Sequence, residues 1–447
     1  MDSELIYGRL LACAIIAMST YAIWRRIRSG RLLTAAGGLH LNILLFFGLG
    51  MLSYSWDSTA TQREFALVTS AWSEAGLFLA AAYGVALLLE RRSQSNINRL
   101  PLVTNVEPTV QTIAVLIGLW MLSVMGKLMA GSDFVASGSG TIFPVLELFG
   151  YPALVVAILM VRVRQPYTVV LLSFLFAVSG YLAVTSTWRS ELVLLGASIS
   201  MGLLLKGRRF LWMAPIILVF TVLILLPFAN EKKLHYEQVS SDPMSALEKT
   251  IDMPIDERMQ FLTGFWAKRI DGARELAFVI HGLKYGLISP RYGASYLEAV
   301  EQLVPRVLWP GKPSFNVERN YYLARRIGLV GKEDKSTSWG INYLAETVWN
   351  FGILGLVAAL PFTFLAATWL DKWVDHNFKR PIMSLMVNGA LFFVFIDLVG
   401  MVNTTTYVLW LCLVGYSVNR ILARSAKHES RAKLVGIHAP AAYRYFR

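Results

Sequence analysis

Long apolar runs govern what this chain can fold into. Leu32–Trp56, Phe210–Phe228 and Ile341–Leu370 are each long enough to cross a hydrocarbon core of about 30 Å as a helix. The same pattern predicts spans over 5–23, 32–56, 66–89, 110–128, 142–161, 167–184, 192–205, 210–228, 341–369, 382–402 and 405–421. The expected fold class is all-α: a polytopic helical membrane protein with about eleven transmembrane helices and one large helical loop outside the cytoplasm. Four regions follow. An N-terminal transmembrane bundle occupies 1–228, the loop 229–340, a C-terminal bundle 341–421 and a basic tail 422–447.

Composition agrees. Hydrophobic residues make up 55% of the chain and charged residues 16%, against roughly 25% charged in soluble domains. The N-terminus, Met-Asp-Ser-Glu, lacks the basic start of a signal peptide, so the first apolar segment is expected to be retained as a span. Cys13 and Cys412 both fall in apolar runs and offer neither metal spacing nor a disulfide framework.

Loop charges then set the orientation. Alternate connections carry Arg25, Arg26, Arg28 and Arg31; Arg91, Arg92 and Arg99; Arg162 and Arg164; Lys206, Arg208 and Arg209; and Lys372, Lys379 and Arg380, with more in the tail from Arg420. The short loops of the other side hold Arg63 and Arg189. By the positive-inside rule the N-terminus faces outward and the C-terminus faces the cytoplasm. A net charge of +13 is compatible in principle with nucleic-acid binding. Residues 229–340, however, hold 16 basic and 14 acidic residues. The excess charge lies in the cytoplasmic loops and tail, so no nucleic-acid partner is expected.

Loops as long as 229–340 are uncommon without structure of their own. Glu231–Pro254 reads as polar and turn-rich. From Asp256 to about Leu287 the apolar spacing predicts a helix, with Asp271 and Arg274 placed for a surface ion pair. A second helix is expected over Ala294–Val304 and a third over about Asn316–Ile327. Between them Pro305-Arg306-Val307-Leu308-Trp309-Pro310-Gly311-Lys312-Pro313 is stiffened by its prolines.

Ionisable residues inside spans are costly and mark function or a buried pair. Glu74, Lys127, Glu147, Arg189 and Asp397 all fall toward the outer ends of spans. Segment 341–369 carries Asn342, Glu346 and Asn350 at i, i+4 and i+8, on one helical face. His40, near an inner end, reads as a core histidine bonded to a backbone carbonyl. With nearly all the intramembrane charge in the outer half, a polar cavity opening outward beneath the loop is expected. A coupled transporter would more often place charge at the midplane and show internal repeats.

The residues Pro305-Arg306-x-x-Trp309-Pro310-x-Lys312-Pro313, then Asn342-Tyr343-Leu344-Ala345-Glu346 and Asn350-Phe351-Gly352-Ile353-Leu354-Gly355-Leu356, resemble the bacterial O-antigen and oligosaccharide repeat-unit polymerases. Arg189-Ser190-Glu191 is similar to a segment in which that family places an outer-face arginine. The related O-antigen ligases usually carry a histidine just before the asparagine, where this chain has Ile341. That departure favours polymerase over ligase, with His281 as a substitute residue in the ligase reading.

The resemblance implies a membrane-embedded glycosyltransferase of GT-C-like architecture in the bacterial inner membrane. Its donor and acceptor are lipid-linked oligosaccharides on undecaprenyl diphosphate, joined at the periplasmic face. A chain-length regulator and a flippase are the implied membrane partners. A departing diphosphate needs its charge neutralised by a metal or by fixed cations. No metal cluster is recognisable in the sequence, so no metal or cofactor is expected. Arg189, Arg306 and Lys312, with Arg269 and Arg274, are the candidate diphosphate ligands, because the guanidinium fork matches phosphate oxygens. Glu346 is the first candidate for general base, with Glu191 and Asp397 as alternatives. A lipid-linked oligosaccharide flippase or other transporter is the third reading.

Overall fold

The computed structural model describes residues 2–54, 62–94, 106–130, 146–162, 165–185, 190–207, 210, 212–228, 243–265, 272–304, 309, 311, 323, 325–327, 341–378, 381–396 and 407–420. Every regular element among them is a helix. Six are long and apolar enough to cross a membrane: Ser3–Ser29, Ala35–Leu52, Thr69–Ser93, Val110–Met129, Pro166–Thr185 and Tyr343–Asn377. They fall on six of the eleven expected spans. Gly150–Met160, Met213–Phe228 and Ile382–Ile396 are shorter apolar helices. By length and composition the chain is a multi-pass membrane protein, and helices are what such a setting requires, since they satisfy their own backbone groups.

The first bundle holds α1 (Asp2–Ser29), α2 (Ala35–Asn42), α3 (Gly50–Tyr54), α4 (Gln62–Gln94) and α5 (Val110–Ala130). A π-helical stretch, Ile43–Leu49, joins α2 to α3. Then come α6 (Gly150–Met160), α7 (Pro166–Thr185), α8 (Ser190–Lys206) and α9 (Met213–Phe220). Every residue of α6 from Tyr151 to Met160 is buried. A helix apolar on all sides belongs in the interior, and α6 is packed between α5, α7, α8 and the later helix Pro381–Ile396.

The long loop contributes α10 (Pro243–Asp252), α11 (Ile255–Phe265), α12 (Gly272–Lys284) and α13 (Ala294–Leu303). The expected turn-rich stretch before Pro254 thus contains a helix. Its last carbonyls, those of Thr250 and Ile251 together with Met253, accept hydrogen bonds at 2.8, 2.9 and 3.0 Å from the Arg258 guanidinium of α11. A cap supplied by the next helix leaves no local signal. The single helix expected from Asp256 to Leu287 appears as α11 and α12, with 266–271 outside the described residues. The α13 expectation agrees within a residue. Most of the third expected helix lies outside the described residues.

The C-terminal bundle holds α14 (Tyr343–Asn377), α15 (Pro381–Ile396) and the helix 407–420, here α16. α14 packs along α4, α15 against α2, and α12 lies on both α4 and α14. The α2–α15 contact is close because Gly38 has no side chain: a Cβ there would lie 2.3 Å from the Phe392 carbonyl oxygen.

One expectation is corrected, that for His40, which belongs to a buried charged cluster away from the loop. At the far end of α14, Arg26 is buried and its Nε lies 3.0 Å from Glu90 Oε1 and Nη1 3.5 Å from Asp371 Oδ2. Arg31 pairs with Asp375 at 3.1 Å. His40 bonds to side chains rather than to a carbonyl, with Nε2 2.9 Å from Glu90 and Nδ1 2.8 Å from the Tyr83 hydroxyl. Thr34 and the Ala35 N–H complete the cluster, which joins α1, α2, α4 and α14. The acids sit on α4 and α14, far in sequence from the arginines, so no local spacing announces the pairs.

Candidate functional site

The site begins at the N-cap of α14. Asn342 has extended backbone angles, and its Oδ1 accepts from the Ala345 N–H at 2.9 Å. This is ordinary asparagine capping. The other end of the amide does something more. Nδ2 donates to the Gly272 carbonyl at 3.0 Å and to Glu275 Oε2 at 2.7 Å. The Asn342 N–H reaches the same Glu275 oxygen at 2.9 Å. A carboxylate from the first turn of α12 thus sits at the positive end of α14, where a negative charge is favoured. Loop helix and membrane helix are clamped start to start.

Glu346 follows in the first turn of α14 and is 1% exposed. Its N–H donates to the Asn342 carbonyl at 2.9 Å. Arg274 precedes Glu275 on α12 and is also buried, with its guanidinium 5.6 Å from the centre of the Phe278 ring. Arg274 thus lies inside rather than on the surface, and Asp271, its expected partner, lies outside the described residues. The two helices bring a buried carboxylate and a buried guanidinium to the loop-side end of a membrane-spanning element.

The third stripe residue, Asn350, holds a second junction. Its Nδ2 donates to Ser295 Oγ at 2.7 Å and to the Glu346 carbonyl at 2.8 Å, while Oδ1 accepts from the Gly293 N–H at 3.0 Å. Two residues on, Gly352 adopts φ 68° and ψ −168°, so α14 is broken there. That conformation is essentially confined to glycine. The carbonyls of Trp349 and Asn350 are satisfied instead by the N–H groups of Arg291 and Tyr292, at 3.1 and 3.0 Å. The Trp349 indole donates to the Ser289 carbonyl, and Arg291, paired with Glu298, lies over the indole ring. The turn before α13 is thereby threaded into the break in α14.

Other candidates lie elsewhere. Glu191, buried at the start of α8, is 2.6 Å from Lys127 Nζ, and Glu147 is 3.9 Å from the same ammonium. His281 stands on α12 roughly 10 Å along the axis from Arg274, half-buried, its ring 4.4 Å from that of Tyr285. Partial burial and the neighbouring Lys284 hold its imidazole below the ordinary value, favouring the neutral form. Arg189, Arg269, Arg306, Lys312 and Asp397 lie outside the described residues.

No family model, curated protein or solved structure matches this chain. The family reading rests on the motif residues themselves. Of these, the described asparagines and glycine join the loop to α14. Sequence reasoning missed Glu275, Ser295 and Arg291, whose partners are about 55 to 70 residues away. The one local signal was that a helix starting after Asn342 needs an N-cap; nothing local pointed to what would hold the cap.

Proposed function

We propose that this protein is a membrane-embedded glycosyltransferase that polymerises oligosaccharide repeat units carried on a lipid diphosphate, in the bacterial inner membrane. The observation that carries the reading is the α12–α14 junction. It places buried Glu346 and buried Arg274 on two clamped helices at the loop-side end of a span. In this reading the carboxylate and the cation stand at the level where the loop meets the bilayer, close to where a lipid-anchored substrate would present its diphosphate.

In the proposed reaction a hydroxyl of the incoming lipid-linked unit attacks the anomeric carbon of the growing chain. The bond from that carbon to the diphosphate oxygen breaks, and its electron pair leaves with the diphosphate. Glu346 accepts the hydroxyl proton as general base. Arg274, with Arg189, Arg269, Arg306 and Lys312, neutralises the leaving diphosphate. The cytoplasmic C-terminus and periplasmic loop of this scheme come from the distribution of basic residues.

A second reading, transport of a lipid-linked oligosaccharide, draws on the Arg26–Glu90–His40–Asp371 network, which puts charge at both ends of α14. Deleting the gene and sizing cell-surface glycan separates the readings. A polymerase mutant leaves single repeat units on the final acceptor. A ligase mutant leaves long chains on the carrier lipid, and a flippase mutant strands single units on the cytoplasmic leaflet. Unchanged long surface chains in a strain with one such gene would exclude all three.

A further inference from the structure

Beside the clamped junction, on a different face of α14, lies a groove of about 490 Å³. Its walls are apolar along most of their length. Gly355, with no side chain, and the methyl groups of Ala358 and Ala359 leave the groove open, flanked by Phe351 and Phe362. Leu354 and Phe362 are 75% and 66% exposed although they belong to a membrane-spanning helix. At that depth the surrounding medium is hydrocarbon, so lipid chains are what meets such a face.

The loop-side end is polar, and its bonding is incomplete. The Thr347 hydroxyl donates to the Tyr343 carbonyl at 2.8 Å, which makes Thr347 Oγ1 the acceptor for the Tyr296 hydroxyl at 2.7 Å. Tyr343 is 1% exposed, yet its hydroxyl has no hydrogen-bond partner among the described residues. A buried phenol of this kind calls for an acceptor, since a buried donor left unbonded keeps its full desolvation cost. No lining residue among those described is charged. These residues offer a phosphate or diphosphate no counter-ion, whereas an uncharged carbonyl oxygen would be well matched.

We propose that the groove holds one acyl chain of a glycerophospholipid from the leaflet on the loop side, with an ester carbonyl of that lipid accepting from Tyr343. The chain runs along α14 from Thr347 toward Thr363. The lipid is distinct from the glycan carrier, whose diphosphate belongs with the arginines, so the site stands whether or not the polymerase reading does. It packs against Tyr296 of α13 and so backs the loop where it meets the membrane.

The test uses the full chain in nanodiscs of phosphatidylethanolamine and phosphatidylglycerol, released into native mass spectrometry. One phospholipid is expected to stay bound under activation that strips the remainder. Ala358→Trp, which fills the groove, should lower that retention by about tenfold, and Tyr343→Phe by about fivefold, the worth of one hydrogen bond. A phospholipid with a photoreactive acyl chain should crosslink to the peptide carrying Leu354 and Phe362 in the unmodified protein, a readout that needs no variant. Absence of both adduct and crosslink would overturn the proposal. So would a retained polyprenyl phosphate, a lipid-free dimer, or equal retention in Ala358→Trp protein of unchanged melting temperature.

Discussion

At Glu346 the proposed chemistry asks for a carboxylate that is ionised, sheltered and near cations. The residue is buried in the first turn of α14. Glu346→Gln keeps the shape and removes the base. Polymer is expected to fall by about 10²–10⁴, the usual contribution of general base catalysis, at unchanged protein level. Arg306→Ala is expected to abolish polymer likewise, through the leaving group. Glycan ladders beside an immunoblot check both, and retained polymer removes that residue from the mechanism. The stripe Asn342, Glu346, Asn350 was legible from spacing alone, because a helix with 3.6 residues per turn puts i, i+4 and i+8 on one face. What its amides bind was not legible. Both turn toward loop residues that no periodicity connects to them.

At the scale of elements, the break in α14 is the feature on which the loop depends. Gly352 sits where a side chain is strained regardless of space, and the freed carbonyls at Trp349 and Asn350 hold the turn before α13. Gly352→Ala is expected to cost about 1–3 kcal/mol and to loosen that turn. The measurement is a lowered melting temperature in detergent together with faster proteolysis within 285–300. An unaltered cleavage pattern would show that the turn is held by other contacts. The apolar run around Gly352 reads as one continuous span, since glycine is common in membrane helices and does not by itself announce a break. The helix Pro243–Asp252 escaped a local reading for a related reason: its end is satisfied by Arg258 of the next helix.

Across the whole molecule, α14 links two charged centres. One lies under the loop, and the other joins α1, α2 and α4 through Arg26, Glu90, His40 and Asp371. Removing one member of a buried ion pair leaves an uncompensated charge and costs about 3–5 kcal/mol. Glu90→Gln is therefore expected to reduce the level of folded protein sharply, seen as loss of a monodisperse peak in detergent chromatography. A normal peak would mean that the network serves function rather than folding. For orientation, a periplasm-dependent reporter inserted in 229–242 is expected to be active, and the same reporter after Arg447 silent. The reverse pattern would invert the topology drawn from the basic loops.

Hydrocarbon solvent made the helical, multi-pass character readable from sequence alone, because apolar runs of sufficient length have few other folds in a bilayer. Charge asymmetry and the i, i+4, i+8 polar face were readable on the same footing, each being a property of residues close along the chain. The loop, first seen as an interruption of the spans, gained its meaning from the fold. Tertiary structure alone determined that Glu275 clamps the cap of α14, that a turn enters the helix at Gly352, and that Arg26 finds Glu90 and Asp371. Each joins groups far apart in sequence. Buried polar groups must find partners wherever packing brings them, and local periodicity carries no record of that choice.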